Sequence, residues 1–385
     1  MMSTWNRINI GEIAELNIKS IDKSFLFDTI EYLDTGSITN GKIDSFQILP
    51  IKEAPSRAKR LVKPNDIIYS TVRPIQKHYG YIKTCKPNTV VSTGFVVISP
   101  NNKYVSSKFL YYYLTTEEVV NYLDVIAEGS TSAYPSLRPE DISNLEIDLP
   151  PINEQNQIAD ILSNLDDKID LLNRQNKTLQ TLAETLFRQW FIEEAEENWE
   201  KGKLEDEFTF VMGQSPSGEY INENGEGMVF YQGNADFNFR FPSIRVYTTE
   251  AKRTAKQFDT LVSVRAPVGD INMAFEECCL GRGVAAFRYK DKPSYYSYTY
   301  YKMRSLMQQV KLFEDSGTVF GSIGKDDFKN LKNTIPPQDK IDNFNFITEP
   351  IDKKIYQNEL QIRTLTQLRD TLLPKLMSGE VRVEG

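Results

Sequence analysis

Side chains able to carry acid–base or metal chemistry are scarce in this sequence. His78 is the one histidine among 385 residues, so histidine-based metal sites and Ser-His-Asp catalysis are nearly excluded. The three cysteines are Cys85, Cys278 and Cys279, and adjacent cysteines bridge poorly, so they form no useful disulfide framework. So few cysteines fit a reducing cytoplasm, which is the localisation that we predict.

Four short motifs resemble fragments of known catalytic sites, and none is complete. Gly281–Ala286 has the spacing of a dinucleotide-binding turn, but the alternating segment Phe287–Lys290 that follows is typical of a strand and does not open a helix. Gly324-Lys325 lacks the first glycine and the Ser/Thr of a phosphate-binding loop. Asp352-x-Lys354 resembles a nuclease motif without a partner carboxylate, and neither Pro-Pro pair follows the Asn or Asp of an amino-methyltransferase motif. We therefore predict no catalytic residue and no metal site in this chain.

Basic residues that could contact nucleic acid form two clusters, which recur just before the corresponding segments Asp66–Ser70 and Asp259–Ser263 and continue after them. The candidates in the first half are Arg57, Lys59, Arg60, Arg73 and Lys77. Those in the second half are Lys252, Arg253, Lys256 and Arg265. We expect Arg73 and Arg265 to contact a guanine edge or a phosphate, because guanidinium serves both. The residues expected to hold mainly phosphates are Arg57, Lys59, Arg60, Lys252, Arg253 and Lys256. A solvated basic surface is the alternative for either cluster.

Small polar turns and tyrosine runs are further candidates for contacts with nucleic acid. Ser130 and Thr131 could offer hydroxyls and backbone amides to a phosphate, as could Ser316–Thr318, although simple turns are the alternative. Tyr111–Tyr113 and Tyr295–Tyr298 could stack on bases, but at helical spacing we expect them to lie in the core.

The net charge of −8 argues against a nucleic-acid partner only until its distribution is considered. Residues 153–200 contain 4 basic and 11 acidic side chains, and this segment supplies most of the negative charge. The remaining segments are near neutral and contain the basic clusters. Local positive patches bind phosphate whatever the net charge of the chain.

Ordered internal matches indicate that the chain is a two-fold repeat. Leu149–Pro151 recurs as Ile335–Pro337 at an offset of 186 residues, and the segments after each Pro-Pro pair match at the same offset. Upstream, Asp66–Ser70 matches Asp259–Ser263 at an offset of 193. This drift indicates small loop insertions in one half. Self-similarity of this kind predicts two copies of one structural unit.

Each half begins as a mixed α/β region and ends in a long helix. Strands are predicted at Val90–Ile98, Asp259–Val264 and Val284–Tyr289, and helices at Lys108–Leu123 and Tyr298–Leu312. The predicted fold class is α+β, with two mixed α/β domains in a pseudo-two-fold repeat, separated by two long helices. The predicted boundaries are 1–152 for the first domain, 153–197 for the first helix, 198–337 for the second domain, and 338–385 for the second helix and tail.

The two long helices have the apolar heptad spacing of a coiled coil, over residues 158–190 and 344–376. Placing Asn176 opposite Asn358 in an antiparallel pair makes nearly every other layer apolar. We therefore predict an intramolecular antiparallel coiled coil whose register these two asparagines fix. The mixed layers are Leu165 with Arg369 and Leu186 with Thr348.

Two points about these helices stay open from the sequence. Pro350 and Pro374 are expected to kink or delimit the second helix. Packing of each apolar stripe on its own domain is the alternative to a coiled coil, although a strict seven-residue repeat favours a partner helix.

These segments together resemble the specificity subunit of type I restriction–modification systems. The resembling stretches cover essentially the whole chain, and the most specific are the two Pro-Pro helices and the closing segment. They are Pro55–Pro74, Leu149–Gln155, Gly213–Gly218, Ser263–Gly269 and Leu368–Glu380. The family pattern is broken at one place, because the arginine of Ser70–Pro74 is shifted by one residue from that of Ser263–Pro267, which puts equal roles for Arg73 and Arg265 in doubt.

The resemblance implies a subunit that recognises DNA and performs no chemistry. Each mixed domain would be a target-recognition domain for one half of a split double-stranded DNA sequence. The helices would space the domains and dock two methyltransferase subunits, and a restriction subunit would join them. S-adenosylmethionine would bind the methyltransferase partner, so no cofactor is expected on this chain. The alternative is a structural scaffold with two protein-binding domains.

Targeting to a membrane is not expected. The first ten residues lack the apolar core of a secretory signal, and the longest apolar runs are too short to span a bilayer.

Overall fold

The structure, a computed structural model, describes residues 5–130, 135–312 and 322–383 of the chain. It divides into two compact units. The first contains residues 1–170 and 363–385, and the second contains residues 171–362. Each unit therefore combines one mixed α/β domain with part of both long helices, and each is described by itself.

The mixed domain of the first unit has twelve short strands and four helices within its described residues. The strands are β1 (Asn6–Asn9), β2 (Ala14–Leu16), β3 (Thr29–Leu33), β4 (Ile38–Thr39), β5 (Lys42–Ile43), β6 (Gln47–Pro50), β7 (Ala58–Leu61), β8 (Ile67–Ser70), β9 (Tyr79–Tyr81), β10 (Thr89–Ser92), β11 (Phe95–Pro100) and β12 (Glu146–Leu149). The helices are α1 (Ile10–Ile13), α2 (Ser107–Leu114), α3 (Glu117–Glu128) and α4 (Pro139–Ser143).

The mixed domain of the second unit repeats this arrangement. Two long helices, α5 (Ile152–Arg188) and α9 (Gln338–Met377), follow the two domains. The strands are β13 (Glu200–Lys203), β14 (Phe208–Met212), β15 (Ile221–Asn222), β16 (Met228–Tyr231), β17 (Tyr247–Thr248), β18 (Thr254–Ala255), β19 (Thr260–Ser263), β20 (Ile271–Met273), β21 (Cys278–Leu280), β22 (Val284–Tyr289) and β23 (Lys332–Ile335). The shorter helices are α6 (Leu204–Glu207), α7 (Tyr296–Lys311) and α8 (Lys325–Asn330).

Sheet order shows that the two domains share one topology. The order β2-β11-β8-β9 in the first unit corresponds to β14-β22-β19-β20 in the second. The order β6-β3-β10-β7 corresponds to β17-β16-β21-β18, with one parallel pair at the same place in each sheet. Both domains also close with a two-stranded pair, β1-β12 and β13-β23. The repeat and the α+β class predicted from the sequence are thus confirmed.

Two of the predicted elements are each divided in the structure. The segment predicted as one strand, Val90–Ile98, forms β10 and β11, which belong to different sheets because the chain turns at Thr93-Gly94. The segment predicted as one helix, Lys108–Leu123, forms α2 and α3, since the Thr116 hydroxyl accepts the Val119 amide and caps a new helix. The tyrosine runs lie largely in the core, where Tyr112 and Tyr298 are buried.

The long helix α9 continues through both of its prolines. Pro350 and Pro374 lie within Gln338–Met377, so the expectation that they delimit this helix is wrong. Each proline removes one backbone hydrogen bond, but the apolar residues on either side keep the helix packed. Ile355 and Leu376, for example, are buried in the cores of the second and the first unit respectively.

Side-chain contacts inside each unit show that α5 and α9 are antiparallel. In the second unit the Asn358 Nδ2 donates to the Asn176 Oδ1 at 2.8 Å, and the rings of Trp190 and Phe344 lie 6.2 Å apart. In the first unit the Arg369 Nη1 donates to the Asp166 Oδ1 at 2.8 Å. Residue numbers fall along α9 as they rise along α5, as the predicted register requires.

The polar side chains in the two mixed layers of the coiled coil form hydrogen bonds with nearby groups. Arg369 extends past Leu165 to the carboxylate of Asp166 on the next residue of α5. Thr348 is fully buried and donates its hydroxyl to the Phe344 carbonyl at 2.8 Å. The same apolar stripes also pack on the domain of their own unit, since Leu162 and Ala183 belong to the two main cores. The coiled coil and its alternative therefore both describe part of the packing.

The buried asparagine pair gives a direct stability prediction. Asn176→Leu would remove the 2.8 Å hydrogen bond of the buried Asn358 amide and leave only its 3.5 Å contact with the Gln175 Oε1. We therefore expect the free energy of unfolding to fall by about 1–3 kcal/mol. Replacing both asparagines with leucine should restore or raise the stability, because the layer becomes apolar. Urea unfolding followed by circular dichroism measures this, with the exposed Asn173→Leu as the control. Equal effects of Asn176→Leu and Asn173→Leu would contradict the assigned role.

Candidate nucleic-acid interface

In the second unit, loops at one edge of the domain bring several cations together. The Leu280 amide at the end of β21 donates to the Arg253 carbonyl at 2.8 Å, which places Arg253 beside the turn that follows β21. The Val264 amide donates to the Gly283 carbonyl in that turn at 2.9 Å, so Arg265 lies on its other side. We call this edge, with Lys252, Arg253, Arg265 and Arg282, the second cationic edge. The basic residues before β18 and the arginine after β19 therefore lie beside the same turn, the one between β21 and β22.

The first unit has an equivalent edge around the turn between β10 and β11. The Thr93 amide donates to the Arg57 carbonyl at 2.8 Å, and the Thr71 amide donates to the Gly94 carbonyl at 2.8 Å. The first cationic edge therefore contains Arg57 and Thr71, which follows β8 and lies two residues before Arg73. Lys59 and Arg60 continue from Arg57 along β7, where Arg60 faces Val91.

Glycines in the second unit allow these turns to pack closely. A Cβ atom on Gly283 would lie 2.5 Å from the Gln232 carbonyl oxygen, and one on Gly213 would lie 2.2 Å from the Gly281 carbonyl oxygen. Such contacts are too short for any other residue type. The glycine pair at Gly281 and Gly283, which resembled part of a dinucleotide site, is explained by this close approach of three backbone segments.

The arginines after β8 and β19 occupy different positions. Val72 forms a β-bridge with Ser136, and Arg265 forms the corresponding bridge with Ser322. The structural counterpart of Arg265 is therefore Val72, and Arg73 comes one residue later, with a left-handed φ of 46°. The one-residue shift seen in the sequence is real, and the two arginines do not have equivalent positions.

The candidate residues differ in whether their charges already form ion pairs within the protein. Within the described ranges, no ion pair is formed by Arg57, Lys59, Arg73, Lys252, Arg253 or Arg265, and all six are exposed. Lys77 pairs with Glu117, and Lys256 pairs with Glu277 at the other end of β18 from Arg253. Arg60 is half-buried, and burial lowers the pKa of its guanidinium. The exposed six are thus the stronger candidates for an external phosphate or base.

Buried aspartates hold the strand that leads to each edge. The Asp66 carboxylate accepts the Lys63 amide at 2.8 Å, and the Asp259 carboxylate accepts the Lys256 amide at 2.7 Å. Asp259 also accepts two hydrogen bonds from Arg288, at 2.6 and 2.7 Å. Burial raises the pKa of both carboxyls, and these hydrogen bonds oppose that shift. Each aspartate therefore fixes the turn between a basic segment and the following buried strand.

The predicted polar turn is described only in part. Ser130 is half-buried, and its hydroxyl accepts the Ser136 amide at 3.3 Å, which ties this turn to the strand bridged with Val72. Thr131 and Ser316–Thr318 lie outside the described residues.

A tyrosine–aspartate contact joins each domain to a long helix. In the first unit the Tyr112 hydroxyl donates to Asp166 on α5 at 2.7 Å, and in the second the Tyr301 hydroxyl donates to Asp352 on α9 at 3.1 Å. Asp352 and Asp166 are 186 residues apart, which is the repeat offset. Each carboxylate also binds an arginine, and the one on Asp352 is the buried Arg240 at 2.6 Å. These contacts orient each cationic edge relative to the helices of its own unit.

The buried pair of Arg240 and Asp352 also explains the incomplete nuclease-like motif. Burial raises the pKa of the Asp352 carboxyl, and the adjacent Arg240 guanidinium opposes that shift. Both side chains are almost fully buried, and the guanidinium stacks 3.3 Å from the Tyr300 ring centroid. Asp352 therefore has a structural role, in which it anchors the domain to α9 through Arg240 and Tyr301. Among the described residues no group of His, Cys, Asp and Glu side chains could hold a metal ion.

Comparison with known proteins shows to which family the chain belongs. The family profile described as the type I restriction modification DNA specificity domain matches residues 2–181 and again residues 196–361. The chain belongs to this type I DNA specificity family. The two matches correspond to the two halves of the repeat, and the family predicted from the sequence is confirmed.

Individual relatives span the whole chain. It is 24% identical over 463 residues to the type I restriction enzyme HindI specificity subunit of Haemophilus influenzae, covering 99% of this chain and 100% of that protein. It is 28% identical over 403 residues to the putative type I restriction enzyme MjaX specificity subunit of Methanocaldococcus jannaschii, covering 99% and 94%. A crystal structure of the type I restriction–modification S subunit from M. genitalium has the same fold, with a TM-score of 0.61, 19% identity and coverage of 98% and 97%. The family match and the two specificity subunits support the prediction of DNA specificity and not the protein-binding scaffold.

Membership of the DNA specificity family draws attention to one residue that the sequence reasoning missed. Arg282 lies at the centre of the second cationic edge and is exposed, but in the sequence it was considered only as the variable position of an incomplete dinucleotide motif. An arginine flanked by two glycines before a strand was the available signal.

In the described chain, no helix is both long and apolar enough to cross a membrane.

Proposed function

We propose that this chain determines the DNA sequence recognised by a type I restriction–modification complex. Each mixed domain binds one half of a split double-stranded target through its cationic edge. Two methyltransferase subunits dock on the helices, and a restriction subunit completes the complex. S-adenosylmethionine is bound by the methyltransferase, and this chain contributes recognition without catalysis, in the cytoplasm.

The observation that carries this proposal is the duplication of one cationic edge on one topology. The family profile matches twice, and the main sheets of the two matched halves have the same strand order apart from the extra strands β4, β5 and β15. Each domain presents exposed cations that form no ion pair with described residues, and such cations are available to DNA phosphates. A scaffold that binds proteins through two domains would not require unpaired cations at this edge of both, where Lys59 and Lys252 occupy corresponding positions.

Exposed leucines on the long helices support docking of two identical partners. Leu182 on α5 is 49% exposed, and Leu368 on α9 is 45% exposed. The two positions are separated by the repeat offset of 186 residues, so each unit presents an apolar side chain at the same place on its helix. Each leucine directly precedes a core position of the coiled coil, Ala183 or Arg369. Equivalent apolar sites suit two copies of one subunit.

Removing one lysine from each cationic edge tests the contact with phosphate. For Lys59→Ala with Lys252→Ala, we expect weaker binding to specific and non-specific DNA alike. The slope of log affinity against log salt should fall in magnitude by about 1.8, because about 0.9 is lost per phosphate contact in duplex DNA. Fluorescence anisotropy of the complex with its methyltransferase, over a range of salt concentrations, measures this slope.

A matched control uses lysines that lie away from the two cationic edges, after the far ends of the strands β11 and β22. Lys103 follows β11 and Lys290 follows β22, and both are exposed. Lys103→Ala with Lys290→Ala should leave the slope unchanged. An equal slope change in the two double variants would show that general charge, and not the cationic edges, governs binding.

Charge placed at the exposed leucines tests the docking of the methyltransferase. Leu182→Glu or Leu368→Glu alone should reduce the number of bound methyltransferase subunits from two to one, and the double variant should bind none, because each carboxylate would be desolvated in an apolar contact. Native mass spectrometry counts the bound subunits. The exposed pair Thr185→Glu and Thr371→Glu, also 186 residues apart, is the control. Two bound subunits on the double leucine variant would exclude this surface.

A further inference from the structure

The two domains have the same residue types along one segment of their cationic edges and different types at another. Lys59 and Arg60 correspond to Lys252 and Arg253, because Arg60 faces Val91 on β10 just as Arg253 is bonded to Leu280 on β21. These paired positions are 193 residues apart. A lysine and an arginine thus occupy the same places in both domains.

The turn beside this segment differs between the domains. Thr71 bonds the Gly94 carbonyl at 2.8 Å, and Val264 bonds the Gly283 carbonyl at 2.9 Å, so the two glycines correspond. The residues just before them are Thr93 and Arg282. The first domain therefore presents a short hydroxyl side chain where the second presents an arginine.

This difference has a physical meaning if each domain binds one half of a split target, which is the function proposed above. The phosphate backbone is the same in both half-sites, so residues that hold it can be the same in both domains. Bases differ between half-sites, so residues that read them must differ. The positions of Lys59 and Lys252 fit the first role, and those of Thr93 and Arg282 fit the second.

The surroundings of Arg282 suit a base contact. Its amide donates to the Ser215 hydroxyl at 3.2 Å, and its flanking glycines are packed against the backbone of Gln232 and Gly213. The backbone is thereby held while the side chain is exposed, and it forms no ion pair within the described residues. Arg253 and Arg265 lie on either side of the turn. Because the backbone is already held between two further cations, binding to DNA has to order only the side chain of Arg282.

We propose that Arg282 determines specificity in the second half-site by contacting a guanine. Arginine pairs with guanine through two hydrogen bonds in the major groove, and this is the commonest specific contact of arginine with a base. The flanking cations hold the phosphates that position it. Thr93 occupies the same place in the first domain and selects a different base there.

Selection of DNA from a library with both half-sites randomised tests this inference in the complete complex with its methyltransferase. With Arg282→Ala, the preference for guanine at one position of the second half-site should fall by about 5- to 150-fold, as expected for loss of one bidentate base contact. The first half-site and the gap between the half-sites should not change. Lys290→Ala, at the other end of β22, should leave every position unchanged.

Two results would overturn the inference while leaving the proposed function intact. One is an Arg282→Ala complex that selects the wild-type sequence at every position. The other is a uniform loss of affinity for all sequences, which would make Arg282 a phosphate contact. A wild-type complex that selects no sequence would contradict the proposed function itself, and the inference with it.

Discussion

The hydrogen bond between Asn176 and Asn358 fixes which turn of α5 packs against which turn of α9. A shift of either helix by one heptad would place each asparagine against an apolar residue and leave a buried amide without its partner, which costs about 1–3 kcal/mol for each group. The other layers of the two stripes are mostly apolar and would tolerate such a shift. Both mixed domains lie directly next to these helices in the chain. The tyrosine–aspartate contacts at Asp166 and Asp352 then orient each domain within its own unit.

The domains themselves show how one scaffold can serve two different half-sites. Buried aspartates, Asp66 and Asp259, hold the same turn in both copies, and close glycine contacts shape the edge of the second. Stability is therefore provided by buried groups, and the cations at the edge are free to vary. Arg240 illustrates the same separation, because the second unit supplies from its domain the arginine that the first unit supplies from a helix, as Arg369. Both units therefore have an arginine–aspartate pair at this place, but the arginine comes from the domain in one and from a long helix in the other.

Prediction from the sequence succeeded where the physical signal is local and periodic. The heptads gave the helices and their register, because each layer is defined by residues seven apart. The division of Val90–Ile98 at Thr93-Gly94 was not predicted, since the sheet to which each strand belongs depends on distant pairing. The pairing of Lys77 with Glu117 and of Lys256 with Glu277 also could not be derived, because these partners are distant in sequence. Arg282 was missed because its neighbours Ser215 and Gln232 come from distant loops, those that follow β14 and β16.

The most direct test of the account changes the length of the helices and leaves both domains untouched. Seven residues continuing the heptad pattern would be inserted into α5 after Asp170 and into α9 after Ile362, and the methylated sites of the resulting complex would be sequenced. One heptad adds about 10 Å of helix, which corresponds to about three base pairs of DNA. The account predicts that both half-sites keep their sequences and that the unread gap between them lengthens by about that amount. An active complex that methylates sites with an unchanged gap, or with altered half-site sequences, would contradict it.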